Sequence, residues 1–216
     1  MKDAEFSITS LNDSPVLVEG KLYKKNEVVK KIRTGIDGIA STSADLLPHG
    51  KYRIEETEAP DGYLTDGVKP IDFSITENGK IVDLTDEAHS IYGRIKRGDI
   101  EGVKIGAGTH QRLADVPFRI TSKTTGESHV IVTDKNGQFS TSSEWASHKH
   151  NTNAGQTSED GIWFGTSEPD DSKGALLYDT YIIEELRCES NKGFQLIPPF
   201  EIIVSRNNLV IDLGTL

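Results

Sequence analysis

The sequence predicts an all-β protein that consists of two tandem β-sandwich domains. Apolar residues alternate with polar ones at a period of two through most of the chain, as in strands that bury one face. Short patterns from the first half of the chain also recur in the second half. A length of 216 residues fits one large domain or two small ones, and the recurrence favours two.

The strands predicted in the first half are short and rich in β-branched and aromatic residues. Their apolar pairs are, in order, Phe6 and Ile8, Val16 and Val18, Tyr52 and Ile54, Phe73 and Ile75, and Ile81 and Leu84. The dipeptide Asn78-Gly79 before the last pair is a strong hairpin signal.

The second half continues the same alternation. Its apolar pairs are Val103 and Ile105, Phe118 and Ile120, Val130 and Val132, Tyr181 and Ile183, Ile202 and Val204, and Val210 and Leu213. Turn residues separate them at Asp134–Gly137, Pro198-Pro199 and Asn207-Asn208. Short strands at this frequency indicate a sandwich or a barrel.

An internal repeat divides the chain. Asp3–Ser10 is similar to Asp115–Ser122 at an offset of 112, whereas Tyr52–Glu56 is similar to Tyr181–Glu185 at an offset of 129. The offsets differ by 17, so the second copy contains a net insertion, which we place in the polar stretch around residues 140–172. We therefore predict domains at residues 1–92 and 93–216.

Composition excludes several classes of protein. The net charge of −10 argues against a nucleic-acid partner, and nothing approaches the 18 consecutive apolar residues of a transmembrane helix. The first ten residues lack the apolar core of a signal peptide, and a single cysteine, Cys188, cannot form an intramolecular disulfide. We expect a monomer without a cofactor or a bound metal.

The segment Gly50–Tyr63 carries a family resemblance. Its sequence, GKYRIEETEAPDGY, resembles the G-x-Y-x-L-x-E-x-x-A-P-x-G-Y signature of Cna-B-type domains, the prealbumin-like modules of SpaA-type pilins and Gram-positive surface adhesins. The second copy departs from it, since Arg187–Asn191 stands where the Ala-Pro would be. Residues 161–165, 174–176 and 184–188 nevertheless resemble a variant common in large clostridial-type surface proteins.

The resemblance implies two inverse immunoglobulin-like sandwiches and a specific chemistry. In many such domains a lysine on the first strand attacks an Asn or Asp side chain on the last strand, and a glutamate on a middle strand shuttles protons. Burial in an apolar core favours the neutral amine and the protonated carboxyl, and enforced proximity supplies much of the rate. The resulting isopeptide bond ties the first strand to the last.

In the second copy the resemblance assigns Lys104 as the nucleophile and Glu185 as the proton shuttle. A lysine on a strand is ordinarily a solvated residue, so only its joint position with Glu185 singles it out. Family spacing places the acceptor just beyond Leu216. Within the chain the alternatives are Asp212, Asn208 and Asn207, and no one of them is preferred.

In the first copy the motif position falls on Glu56. The corresponding lysine would precede the numbering, so we expect the first strand of this copy to be missing. No Asn occurs between Gly79 and Gly93, which leaves only Asp83 or Asp86 as an acceptor. We expect no isopeptide bond here, and Glu56 is expected to be a buried carboxyl satisfied by backbone donors.

Three other features have a functional and a structural interpretation. Trp163 and Phe164 in the insertion are candidate ligand-binding residues, although core packing explains them more simply. Residues 97–99 spell Arg-Gly-Asp, an integrin-binding tripeptide, but a turn with Gly is expected between domains anyway. The imidazoles of His129, His148 and His150 lack the Cys or carboxylate pattern that would complete a metal site.

These features favour a structural role. The chain is interpreted as a stalk segment of a Gram-positive cell-wall-anchored adhesin or pilin, located outside the cell, whose full-length form binds a host extracellular-matrix or cell-surface ligand. The alternative is a binding module in which the insertion recognises a host protein or glycan. An enzyme acting on an external substrate is not expected, since the sequence has no G-x-S-x-G, H-E-x-x-H or P-loop motif.

Overall fold

The computed structural model describes residues 1–66, 68–85, 93–145, 147–150 and 162–216. The chain divides into two compact units, residues 1–94 and 95–216. The described residues form strands and one short 3-10 helix, His148–His150, and none of their helices is long and apolar enough to cross a membrane. Part of the predicted insertion and the candidate Asp86 lie outside the described residues.

Unit 1 contains one four-stranded sheet and a small hairpin. Its strands are β1 (Glu5–Ser10), β2 (Val16–Val18), β3 (Lys21–Tyr23), β4 (Val28–Arg33), β5 (Gly50–Glu58), β6 (Tyr63–Leu64) and β7 (Ile71–Ile75), and β8 (Arg94–Ile95) lies at the junction of the units. The sheet is antiparallel in the order β4-β1-β5-β7, and β2 pairs with β3. The predicted strand at Ile81–Leu84 is wrong, because these residues pair with no strand in the structure.

Unit 2 contains two sheets. Its strands are β9 (Arg97–Val103), β10 (Pro117–Ser122), β11 (Ser128–Val132), β12 (Gln138–Ser140), β13 (Leu176–Leu177), β14 (Asp179–Glu185), β15 (Phe200–Val204) and β16 (Val210–Thr215). One sheet has the order β11-β10-β14-β15, and the other has the order β12-β9-β13 with β16 added parallel to β9. The predicted all-β architecture is confirmed in both units.

The strand registers reproduce the internal repeat. In unit 1 Phe6 lies opposite Glu56 on the neighbouring strand, and in unit 2 Phe118 lies opposite Glu185 in the same way. The order β4-β1-β5-β7 therefore corresponds to β11-β10-β14-β15, and Glu56 is the structural counterpart of Glu185.

The core of unit 2 lies between its two sheets. The rings of Phe118 on β10 and Phe139 on β12 stack with centroids 4.9 Å apart, which joins one sheet to the other. Ile100 on β9 is fully buried in the same cluster. Unit 1 has a smaller cluster of buried apolar side chains, consisting of Ile8, Val16, Val18, Val29 and Tyr52.

Candidate isopeptide site

Lys104 and Glu185 meet inside unit 2. Lys104 directly follows β9, where its backbone N–H donates to the carbonyl oxygen of Gly137 at 2.7 Å. Glu185 is the last residue of β14 in the facing sheet. Lys104 Nζ lies 3.1 Å from Glu185 Oε2, and the two side chains are 5% and 0% exposed. The structure thus places the predicted nucleophile within hydrogen-bond distance of the predicted proton shuttle.

Two further donors hold the Glu185 carboxylate in place. Asn191 Nδ2 donates to Oε1 at 2.9 Å, and the backbone N–H of Ile197 donates to Oε2 at 2.9 Å. Both carboxylate oxygens therefore have a partner besides the ammonium group of Lys104. A carboxylate that is fixed in this way presents a constant acceptor to the lysine.

Asn191 was not identified from the sequence as part of the site. Its side chain is fully buried. Besides Glu185, it donates to the carbonyl oxygen of Leu186 at 2.9 Å, while its Oδ1 accepts from the N–H of Cys188 at 2.9 Å. One sequence signal could have identified Asn191, namely the departure of residues 187–191 from the Ala-Pro motif. Because the loop after β14 has an altered sequence, the hydrogen-bond donors to Glu185 must come from new residues in it.

The pair has the geometry for lysine activation. A general base must lie within hydrogen-bond reach of the proton that it accepts, and 3.1 Å satisfies this requirement. A buried amine freed of its proton is a nucleophile toward a carboxamide or carboxyl group held nearby. Among the described residues, none of the three predicted acceptor side chains lies beside this pair.

The structure does not bring the predicted acceptor Asp212 to Lys104. Asp212 lies on β16 opposite Glu101, is exposed, and its Oδ1 accepts from the N–H of Gly214 at 2.7 Å. Glu101 precedes Lys104 by three residues, which corresponds to roughly 10 Å along a strand. Leu216 lies beside Lys104 instead, since its N–H donates to the carbonyl oxygen of Val103 at 2.8 Å.

Asn207 and Asn208 lie at the other end of β9. Asn207 Oδ1 accepts from the N–H of Arg97 at 3.0 Å, and the N–H of Asn208 donates to the carbonyl oxygen of Arg97 at 2.7 Å. Arg97 and Lys104 are seven residues apart, which is roughly 23 Å of extended strand. Both asparagines shape the turn before β16, and neither is within reach of Lys104.

Glu56 is buried in unit 1, but backbone donors do not satisfy it as expected. Among the described residues, its Oε2 atom has no hydrogen-bond partner. Burial raises the pKa of this carboxyl above its ordinary value. The expectation of a fully satisfied carboxyl is corrected, because no lysine among the described residues of unit 1 contacts Glu56 as Lys104 contacts Glu185.

Trp163 and Phe164 are buried, so the candidate binding role of these two residues is corrected. They are 2% and 1% exposed. Trp163 Nε1 donates to the carbonyl oxygen of Ser167 at 2.7 Å, and the Arg97 guanidinium stacks 3.6 Å from the centre of its ring. The ring of Phe164 lies against His129, with centroids 4.4 Å apart. These aromatic side chains anchor the insertion to the sandwich.

The Arg-Gly-Asp tripeptide is likewise buried in β9 and is not an exposed turn. Arg97 and Asp99 are 6% and 9% exposed. Arg97 donates to the carbonyl oxygens of Phe164, Gly174 and Ala175, at 2.7, 3.2 and 3.0 Å. An integrin could not reach these side chains without unfolding of the strand.

The histidines do not assemble a metal site within the described part of the chain. His129 Nε2 contacts Glu127 Oε1 at 2.9 Å, and His148 Nε2 contacts the carbonyl oxygen of Thr141 at 2.8 Å. The described residues contain no group of three or more metal-ligating side chains. The side chain of His150 is outside the description.

Comparison with solved structures identifies the fold. The chain is similar to the Bacillus anthracis TIE protein, with a TM-score of 0.56 and 20% identity over 100% of this chain and 30% of that one. The chain thus spans about a third of that protein's length. Weaker likenesses include a streptococcal ancillary pilin (TM-score 0.34, 18% identity, 99% of this chain and 57% of that one). Another is GBS52, the minor pilin of Streptococcus agalactiae (TM-score 0.33, 14% identity, 99% of this chain and 82% of that one).

Comparison with sequences gives the family of the first unit. No curated protein sequence matches the chain. The family model of the SpaA prealbumin-like fold domain matches residues 1–88, which cover nearly all of unit 1 and include the Gly50–Tyr63 signature. Residues 1–88 of this chain are thus similar to the SpaA prealbumin-like fold domain.

Proposed function

We propose that this chain is a stalk segment of a Gram-positive cell-surface adhesin or pilin, and that an isopeptide bond formed by Lys104 cross-links its second unit. The protein would be extracellular and wall-anchored, and its full-length form would bind the host ligand. One observation carries the cross-link: a buried lysine lies 3.1 Å from a buried glutamate on the facing sheet.

The cross-linking step balances without a cofactor. Glu185 accepts a proton from the Lys104 ammonium, and the freed Nζ attacks the side-chain carbonyl carbon of an Asn or Asp. The new C–N bond forms as the bond to the leaving group breaks; Glu185 returns the first proton to that group and then takes the second proton that Nζ loses as it becomes an amide nitrogen. An Asn acceptor releases ammonia, and an Asp acceptor releases water. The reaction happens once per chain, so it is self-modification and not turnover of an external substrate.

The strand order supports a mechanical role for such a bond. β9 is the first long strand of unit 2 and β16 is the last, and they pair in parallel over residues 99–103 and 210–215. A force on the two ends of the unit would shear this pair apart through its backbone hydrogen bonds. A covalent bond between the first and last strands would carry the load instead.

Two observations support the stalk. Residues 1–88 match the family model of the SpaA prealbumin-like fold domain, and unit 2 repeats the sheet of unit 1 in tandem. The proposal does not extend to ligand recognition by the insertion, because Trp163 and Phe164, the aromatic anchors on which that alternative rested, are buried.

The test is the intact mass of the 216-residue chain under denaturing conditions. A deficit of one ammonia or one water relative to the sequence mass is expected if the chain itself holds the acceptor, although Asp212, Asn207 and Asn208 all lie away from Lys104. The deficit should disappear in Lys104→Ala and in Glu185→Gln. The matched controls are Glu184→Gln, one residue away but exposed, and Lys123→Ala, whose lysine pairs with Glu201 at the surface.

Peptide mapping of the digested chain then identifies the acceptor. A branched peptide that contains Lys104 names the second residue directly; because Asp212, Asn208 and Asn207 lie away from Lys104, we expect a residue other than these three. A mass equal to the sequence mass contradicts the cross-link in this chain and leaves packing alone to hold unit 2 together. A deficit that survives Lys104→Ala places the bond elsewhere and overturns the assignment of the nucleophile.

A further inference from the structure

A buried histidine joins the two sides of the insertion in unit 2. We call the described residues of 141–150 and 162–173 the stem of the insertion. His148 lies in the stem, and its side chain is fully buried. Its Nε2 lies 2.8 Å from the carbonyl oxygen of Thr141, directly after β12, and its Nδ1 lies 3.3 Å from the carbonyl oxygen of Asp170. The imidazole therefore connects the outgoing and the returning segments of the stem.

Both partners of the His148 ring are acceptors. A backbone carbonyl oxygen cannot donate, and a neutral imidazole has one N–H group and one nitrogen lone pair. In the neutral state, one of the two carbonyl oxygens therefore faces a lone pair instead of a donor. The imidazolium form carries an N–H on each nitrogen and satisfies Thr141 and Asp170 together. The surroundings of the ring thus match its protonated form.

Other contacts hold the ring in this position. The backbone N–H of His148 donates to Asp171 Oδ1 at 2.8 Å, and Ser147 Oγ donates to Asp171 Oδ2 at 3.2 Å. The ring of Trp163 lies beside the imidazole, with centroids 5.4 Å apart. An aromatic ring at this distance attracts a cation, which again favours the protonated form.

The charged groups around the stem do not favour one form by their number. Among the described residues, carboxylates and cations are equally represented: Asp99, Asp170 and Asp171 against Arg97, Lys149 and Lys173. The Lys173 ammonium lowers the pKa of the Asp170 carboxyl, so this group stays ionised while a histidine titrates. The two carbonyl contacts therefore decide, because hydrogen bonds from a charged donor are roughly twice as strong as neutral ones and offset the burial of the charge.

We propose that His148 is a pH-dependent latch of the insertion. The protonated ring donates to the carbonyl oxygens of Thr141 and Asp170 and closes the stem, and loss of the proton removes one of these bonds. Because the closed stem binds a proton more tightly than the open stem, its stability is greatest at acid pH. This stability falls as the pH rises through the range of about pH 5 to 8, in which histidine ordinarily changes its charge. The latch goes beyond the proposed cross-link and does not require that the cross-link forms.

Tryptophan fluorescence can test the latch, because both tryptophans of the chain, Trp145 and Trp163, belong to the stem. Quenching by acrylamide, which is uncharged, is measured for the 216-residue chain at about pH 5 and about pH 8. We expect the quenching constant to be about twofold larger at the higher pH, because local opening exposes the two rings. Equal quenching at both pH values would overturn the latch.

The two buried histidines of unit 2 provide matched variants. His148→Gln keeps one side-chain donor but cannot gain a second one with a proton, so quenching should be high and independent of pH. His129 is also buried, but its Nδ1 has no hydrogen-bond partner among the described residues, so protonation gains no second bond there. His129→Gln should therefore keep the pH dependence. A pH dependence that survives His148→Gln would overturn the assignment to His148.

Nitrogen–hydrogen correlation NMR tests the latch without a substitution in the stem. The chain is labelled at its histidines, and His129→Gln serves to assign the signals of the buried rings. We expect His148 to show two slowly exchanging ring N–H protons at about pH 5 and one at about pH 8. A single ring N–H at both pH values would overturn the double contact, whether or not His148→Gln folds.

Discussion

Tyr52 and Tyr181 make the same hydrogen bond in the two units. Each phenol hydroxyl donates to the carbonyl oxygen of the residue four positions earlier, Pro48 in unit 1 and Leu177 in unit 2, at 2.9 Å in both. Both rings are almost fully buried. The bond fixes the entry of the chain into β5 and β14, the strands that carry Glu56 and Glu185.

Removal of this hydroxyl should destabilise the unit that contains it. Tyr181→Phe leaves the Leu177 carbonyl without its donor and should lower the free energy of unfolding of unit 2 by about 1 kcal/mol. Tyr52→Phe should have a similar effect on unit 1. Denaturant titration measures both, and Tyr178→Phe, at a partly exposed ring, is the control. If the denaturation midpoints of both variants are unchanged, water has replaced the tyrosine hydroxyl as the hydrogen-bond donor to the Pro48 and Leu177 carbonyls.

Asn191→Ala tests how the Glu185 carboxylate is held. The substitution removes the donor to Glu185 Oε1 and leaves the Leu186 carbonyl and the Cys188 N–H unpaired. We expect unit 2 to lose about 3 kcal/mol of stability, because each unpaired buried polar group costs roughly 1 to 3 kcal/mol. Lys192→Ala, on the exposed neighbour, is the control. A loss of stability no larger than that of Lys192→Ala would contradict this role of Asn191 in holding the carboxylate.

Arg97→Lys tests the anchor of the insertion. The Arg97 guanidinium donates to three backbone carbonyls and stacks on Trp163, and burial lowers its pKa to about 10, so it stays charged at neutral pH. A lysine keeps the charge but not the planar fork of donors, so unit 2 should lose about 3 kcal/mol. The loss of stability is measured by the thermal unfolding of unit 2 and by the rate of proteolytic cleavage after residue 162. Arg119→Lys, at an exposed ion pair, should change little.

The stability of unit 1 should depend on pH through Glu56. Burial raises the pKa of this carboxyl in the folded state above its ordinary value of 4.5, so the folded state binds more protons than the unfolded state above that pH. The stability contributed by the protonated form is therefore present at acid pH and is lost as the pH rises through the raised folded pKa. Glu56→Gln should remove this dependence and stabilise unit 1 at neutral pH. Denaturant unfolding of the unsubstituted chain and of Glu56→Gln, measured from mildly acid to neutral pH, tests this dependence. Parallel pH profiles of the two proteins would contradict the role of Glu56.

The sequence was sufficient to predict the fold because its main signals are local or repeated. Alternation at a period of two identifies most strands, and two sequence offsets predict that the chain contains two copies of one β-domain. The Gly50–Tyr63 motif likewise identifies the SpaA-type unit. The joint assignment of Lys104 and Glu185 followed from motif positions, and the structure places their charged groups 3.1 Å apart.

The tertiary structure decided what depends on long-range partners. Residues 81–85 have the pattern of a strand, but a strand needs a neighbour to satisfy its backbone groups, and none of the described residues of unit 1 pairs with this segment. The burial of Trp163, Phe164 and Arg97 depends on how the insertion returns to β9, which no local pattern encodes. Asn191 acquires its role from a loop that folds back onto Glu185. Periodicity is a property of adjacent residues, whereas pairing, burial and charge contact depend on residues that only folding brings together.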